Sequence, residues 1–165
     1  MKGVDAVARI LKIEGVEYLF CFPANTLIDA SAKVGIRPIM GRTERTLINM
    51  ADGYSRISNG KRLGVAVVQS GPGSENAFAG VAQAFADSVP ILMLPGGINR
   101  RERSIPTGFE AVKNYGGITK WLAEINFADR IPDMMRSAIN VLAQISTAVL
   151  VNRWTRGGRD QESPE

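Results

Sequence analysis

The sequence predicts an α/β fold: a parallel sheet of about six strands with helices on both faces. Two observations lead there. The apolar runs at 64–68 (GVAVV) and 91–94 (ILML) are continuous rather than alternating. That is the pattern of strands buried on both faces within a parallel sheet. Between such runs lie amphipathic stretches at helical spacing, so strands and helices alternate along the chain. In open parallel sheets ligands bind beyond the carboxyl ends of the strands, which directs attention to the segments after each apolar run.

The elements follow in order. Val4, Val7, Ala8 and Leu11 recur along one helical face, and Gly15 stands where that helix stops. Val16 to Phe22 is a short β-prone run closed by Pro23. A second amphipathic stretch leads to Gly35, and 36–40 reads as a strand. From Thr43 the chain turns helical, with Leu47, Met50, Ala51 and Tyr54 on one stripe and Gly60 at its end. The strand at 64–68 runs into a glycine turn, Ser70-Gly71-Pro72-Gly73. A helix follows, with Phe78, Val81, Ala82 and Phe85 on its expected buried face. After the strand at 91–94, residues 95–117 are rich in glycine and arginine and are expected to be mostly loop. A last helix carries Ile131, Met134, Met135, Ala138 and Leu142, and 148–151 makes a last strand. One domain is expected over 1–152, with a polar tail over 153–165.

Composition excludes several function classes. Twenty Lys and Arg against 16 Asp and Glu leave a net charge of +4, and the charges are scattered. The denser groups are Arg100, Arg101 and Arg103, and Arg153, Arg156 and Arg159. A nucleic-acid face needs a basic stripe with aromatic residues interleaved, so no nucleic-acid partner is expected. The chain has no histidine, and Cys21 is its only cysteine. This excludes an intrachain disulfide, a thiolate metal cluster and a Ser-His-Asp triad. No metal ligands are assigned. No stretch approaches the ~20 apolar residues that cross a bilayer, and the first residues lack the apolar core of a signal peptide. The expectation is a cytoplasmic protein without membrane contact.

Two places depart from plain core-and-surface patterning. The turn at 70–74 joins a buried strand to a helix, where free backbone N–H groups suit an anion or a polar ligand edge. Taken alone, this turn is a weak signal, and a purely structural strand-to-helix turn is the better reading of it. The dinucleotide fingerprint fails because Asn76 occupies its third glycine position, and no Lys-Ser/Thr pair follows to make a phosphate loop. Glu44 begins a helix, where an acidic residue complements the helix dipole and where a catalytic carboxylate is also possible. Position alone leaves both readings open.

Arg42-Thr43-Glu44-Arg45, leading into Met50-Ala51-Asp52-Gly53-Tyr54-Ser55-Arg56, resembles the N-terminal domain of the acetolactate synthase group of thiamine diphosphate enzymes. Ser70-Gly71-Pro72-Gly73 with Asn76, then Ala84, Asp87, Ser88 and Pro90, match further family motifs in order and spacing. So does the opening step from Glu14 to Phe20, with Pro23 at the strand end. The resemblance runs over roughly residues 4–152, and it implies a thiamine diphosphate-binding fold. In that family this domain grips the aminopyrimidine ring of the cofactor. A glutamate hydrogen-bonds a ring nitrogen and favours the imino tautomer, which removes the thiazolium C2 proton. Carried over, that catalytic glutamate is Glu44, and Phe22, Pro23, Pro72 and Asn76 line the pyrimidine pocket.

The resemblance also implies what this chain does not supply. The family holds the diphosphate and its Mg²⁺ in a second domain with a Gly-Asp-Gly motif, which is missing here. Only the pyrimidine end of thiamine diphosphate is expected to bind. The implied partner is a diphosphate-binding domain or subunit, in a homodimer or a hetero-oligomer. The implied activity is 2-oxo acid decarboxylation or carboligation, and inactivity when alone. A non-catalytic binding or regulatory module that keeps the fold is the alternative. Thr43 replaces the family's usual histidine, and Ala24 and Asn25 replace two glycines. Glu110 stands near the position of a loop glutamine, and Gln144 to Ala148 replaces a Gly-Arg-Pro-Gly-Pro run.

Overall fold

A computed structural model of the chain describes residues 2–23, 25–98, 108–142 and 148–152. Helix α1 (Gly3–Ile13) buries Val4, Val7, Ala8 and Leu11, the face its periodicity predicts. Gly15 follows at φ +79°, a left-handed turn that glycine takes without Cβ strain. Strand β1 (Tyr18–Cys21) leads to α2 (Thr26–Lys33) and β2 (Arg37–Met40). Helix α3 (Glu44–Ile57), β3 (Gly64–Val68), α4 (Pro72–Ala86) and β4 (Ile91–Pro95) follow. Then come the short α5 (Ala111–Asn114), a 3₁₀ turn (Tyr115–Ile118), β5 (Trp121–Ile125), α6 (Ile131–Leu142) and β6 (Ala148–Asn152).

The six strands form one sheet in the order β2-β1-β3-β4-β6-β5, every pair parallel. Alternate strand residues face opposite layers. Leu19, Cys21, Val65, Val67, Leu92 and Leu94 join α1, α2 and α6 in one core. Phe20, Ala66, Val68, Ile91 and Met93 join α3, α4 and Tyr115 in the other. The predicted two-faced α/β sheet is therefore present.

Three particulars differ from the sequence reading. Strand β5 lies beyond the long segment expected to be loop, and that segment itself contains α5 and the 3₁₀ turn. On α4 the buried residues are Gly73, Ser74, Ala77, Gly80, Val81 and Ala84, while Phe85 is exposed. The cause is a close helix approach: a Cβ on Gly80 would sit 2.8 Å from the Ile48 Cβ, so α4 presents small residues to α3. Strand β1 is also shorter than the apolar run, because Val16 and Phe22 fall outside its ladder. The expected tail over 153–165 lies outside the described residues, as do Arg100, Arg101, Arg103 and Gln144 to Thr147. Among the described residues no helix is long and apolar enough to cross a membrane.

Candidate active site at the carboxyl edge of the sheet

The chain crosses from β1 to β2 in one direction, while β3 lies on the other side of β1. In open parallel sheets such a change of direction is where a ligand crevice is expected, here beyond the carboxyl ends of β1 and β3. Phe22-Pro23 leaves β1 into it, and Gln69 to Gly73 leaves β3. Glu44, after β2, begins α3 beside them.

Each segment is fixed by local chemistry. Thr43 is the N-cap of α3; its Oγ1 accepts from the Thr46 amide at 3.2 Å and shares a hydrogen bond with the Thr46 hydroxyl at 2.8 Å. That cap sets the first turn and turns Glu44 inward, to 8% exposure. On the other side, Gly71 lies at φ +61° and ψ −117°, a conformation almost restricted to glycine. Pro72 then starts α4 at a position where no N–H is required. The turn is anchored from below: the Ser74 hydroxyl donates to the Gln69 carbonyl at 3.0 Å, and the Tyr115 hydroxyl donates to the Ser74 carbonyl at 2.6 Å. Burial holds the Tyr115 phenol above its ordinary pKa, so it remains a donor.

The two helix starts meet at Glu44. Asn76 Nδ2 donates to Glu44 Oε2 at 3.4 Å. A Cβ on Gly73 would lie 3.7 Å from Glu44 Oε1, an ordinary contact, and 3.0 Å from the Gln69 Cβ, which leaves little room for a side chain there. Gln69 in turn donates from Nε2 to the Pro23 carbonyl at 3.2 Å. Pro23, Gln69, Gly73, Glu44 and Asn76 thus form one continuous line of neighbours. Phe22 is half-buried against the α3/α4 core, whereas Pro23, Pro72 and Asn76 are exposed.

A family model described as "Thiamine pyrophosphate enzyme, N-terminal TPP binding domain" matches residues 1–127. The chain belongs to the thiamine pyrophosphate enzyme family. It is 40% identical over 100 residues to the acetolactate synthase large subunit of Haemophilus influenzae, covering 58% of this chain and 17% of that protein. A probable acetolactate synthase large subunit of Methanocaldococcus jannaschii is 32% identical over 153 residues, covering 86% of this chain and 24% of that protein. The catabolic acetolactate synthase of Raoultella terrigena is 27% identical over 147 residues. The chain therefore spans about a quarter or less of the length of these relatives. Membership in the thiamine pyrophosphate enzyme family implies dependence on thiamine diphosphate.

Several residues that signal the thiamine pyrophosphate family are architectural. The Asp52 carboxylate is buried and accepts from Arg56, which also reaches Asp87. The Ser55 hydroxyl donates to the Pro90 carbonyl at 2.7 Å and accepts from the Gly64 amide at 2.8 Å. These contacts tie α3 to the loop before β4. Glu110 pairs with Lys113 at 2.8 Å at the start of α5, and no hydrogen bond joins it to the Glu44 group among the described residues. Three neighbours of the site receive no site role from the sequence: Gly73, which enters there as part of the glycine-turn motif, Gln69, and Asn25, which enters as a departure from the family pattern. For Asn25 a signal existed, since an Asn before Thr-Leu-Ile is an N-cap pattern.

Proposed function

We propose that this chain is the pyrimidine-binding domain of a cytoplasmic thiamine diphosphate-dependent enzyme that decarboxylates or joins 2-oxo acids. The domain comprises residues 1–152, and Glu44 is its acid–base group. The observation that carries this reading is the burial of the Glu44 carboxylate between two helix starts, with glycine in place of a side chain beside Oε1. The residues present fit an aminopyrimidine. Among the described residues one carboxylate oxygen receives the long Asn76 bond, and the other faces Gly73, which has no side chain to cover it.

When bound, the cofactor supplies the electron sink for cleaving or forming the bond next to a 2-oxo group. The protein's own part is orientation and proton handling. Glu44 Oε1 is the atom that exchanges a proton with a ring nitrogen, and Asn76 keeps the carboxylate turned toward the crevice through Oε2. Phe22, Pro23 and Pro72 offer apolar surface to a flat ring. Glu44 has little water around it, which strengthens any hydrogen bond it makes to the ring. The diphosphate and Mg²⁺ belong to a separate diphosphate-binding domain or subunit, because the Gly-Asp-Gly motif is missing from this sequence.

Calorimetric titration of the full chain with thiamine diphosphate, with and without Mg²⁺, tests this reading. Weak binding that ignores Mg²⁺ and falls on Glu44→Gln is the expected result. Tight, Mg²⁺-dependent binding by the chain alone overturns it, as does indifference to Glu44→Gln.

A further inference from the structure

The loop leaving β1 is held by something other than its own backbone. Asn25 is buried, 8% exposed, and both ends of its side-chain amide are used. Its Oδ1 accepts from the Leu27 amide at 3.0 Å and caps α2. Its Nδ2 donates to the Val68 carbonyl, 43 residues away, at 3.2 Å. Val68 ends β3, and its carbonyl also accepts from the Gly96 amide at 2.9 Å, just beyond β4. One carbonyl at the carboxyl edge therefore joins the segments that leave β1, β3 and β4.

Two further bonds close the same loop. The Phe22 amide donates to the Val67 carbonyl at 3.3 Å, and Gln69 donates to the Pro23 carbonyl. Phe22 and Pro23 are thus bracketed by contacts to residues 67–69. The Gln69 bond is exposed and exchanges with water, whereas the Asn25 bond is buried and worth more per contact. A glycine at position 25 would supply neither bond.

We infer that Asn25 is a positioning residue: its amide fastens the Phe22-Pro23 wall of the crevice to the end of β3, independently of its role as a helix cap. The inference rests on the reading of that crevice as a pyrimidine site. Asn25 does not touch the ligand in this scheme. It fixes where Phe22 and Pro23 stand, and so removes the ordering cost that a mobile wall adds to binding.

The cap and the fastening separate by substitution. Ser and Asp both cap a helix about as well as Asn, but neither offers an amide N–H to the Val68 carbonyl. Full-length Asn25→Ser, Asn25→Asp and Asn25→Ala are compared with wild type by amide hydrogen exchange and by titration with thiamine. For Asn25→Ser and Asn25→Asp, the Phe22 amide is expected to exchange roughly three- to tenfold faster while α2 keeps its protection. Thiamine affinity falls in both, although the added carboxylate of Asn25→Asp would by itself attract the cationic ligand. Asn25→Ala loosens α2 as well.

Unchanged exchange at Phe22 in the Ser and Asp variants overturns the inference. So does loss confined to α2, which would make Asn25 a cap and nothing more. Thiamine binding that stays at the wild-type level despite faster Phe22 exchange also overturns it. If wild type itself binds no thiamine, the pyrimidine reading fails, and the exchange measurement alone decides whether the fastening exists.

Discussion

Asn76 donates its Nδ2 amide to Glu44 Oε2, 32 residues away in sequence, at 3.4 Å, joining the first turns of α3 and α4. The bond is long, so it orients the carboxylate without consuming it. Glu44→Gln preserves shape and most packing while removing the proton-exchanging oxygen. In the enzyme assembled with its diphosphate-binding partner, exchange of the cofactor's C2 proton is expected to fall by ~10²–10⁴, the range for a lost acid–base group. Thermal unfolding should barely move. Unaltered C2 exchange, measured by NMR in D₂O, would remove Glu44 from the mechanism.

Gly71 tests whether the turn below α4 shapes the crevice. At φ +61° and ψ −117° an alanine is strained even though no atom lies within 4 Å of its Cβ. Gly71→Ala is therefore expected to cost about 1–3 kcal/mol of backbone strain, unrelated to crowding. If the turn relaxes instead, Gly73 and Asn76 shift relative to Glu44, and thiamine binding weakens while stability is retained. Urea unfolding and thiamine titration on one variant separate the two outcomes; no change in either contradicts the strained turn.

Much of this architecture was legible because the informative residues are buried on both sides. The continuous, short runs at 64–68 and 91–94, bounded by turn residues, fit inner strands, and they are β3 and β4. Strand β5 was not, since Trp121 to Glu124 lie at the sheet edge, half-buried, and carry no clean alternation. The buried face of α4 misled for a different reason. Hydrophobicity favours Phe85, but the spacing to α3 admits only residues as small as Ala77, Gly80 and Ala84. Helix-to-helix distance is a tertiary quantity that periodicity does not encode. Likewise Glu44 could be placed at a helix start from sequence, but its burial depends on α4 arriving from residue 72 onward.

Gly64 should be intolerant of any side chain. A Cβ there would stand 2.1 Å from the Ala51 carbonyl oxygen and 2.9 Å from the Ser55 hydroxyl, inside backbone that cannot yield cheaply. Gly64→Ala is expected to destabilise the chain by about 1–3 kcal/mol through overpacking. A melting temperature equal to that of wild type would show that α3 does not lie so close to β3.

The Asp52–Arg56–Asp87 group predicts an ordering. Asp52 is buried whereas Asp87 is exposed, and both meet the same guanidinium. Losing Asp52 leaves a buried gap and strips Arg56 of its bidentate partner, while losing Asp87 removes a solvent-screened contact. Asp52→Ala should lower the melting temperature clearly more than Asp87→Ala. Neither should alter the chemistry at Glu44, because the group ties α3 to the segment before β4. Equal effects from the two substitutions would contradict this division.

Cys21 gives a prediction in pH. Its side chain has no exposed surface, and burial pushes the thiol from 9.0 up to about 11. The folded state therefore keeps the proton over a range in which the unfolded chain releases it. Stability from this group is complete below pH 9 and is lost as pH rises through about 11. The urea midpoint of wild type should fall more steeply between pH 9 and 11 than that of Cys21→Ala. The alanine variant starts lower, because it loses sulfur packing against Met40, 3.1 Å from the thiol. The difference in slope, rather than in level, reports the thiol. Burial also means that alkylation at pH 8 should wait for unfolding, so rapid modification of native protein would show Cys21 to be reachable and the slope argument to be void.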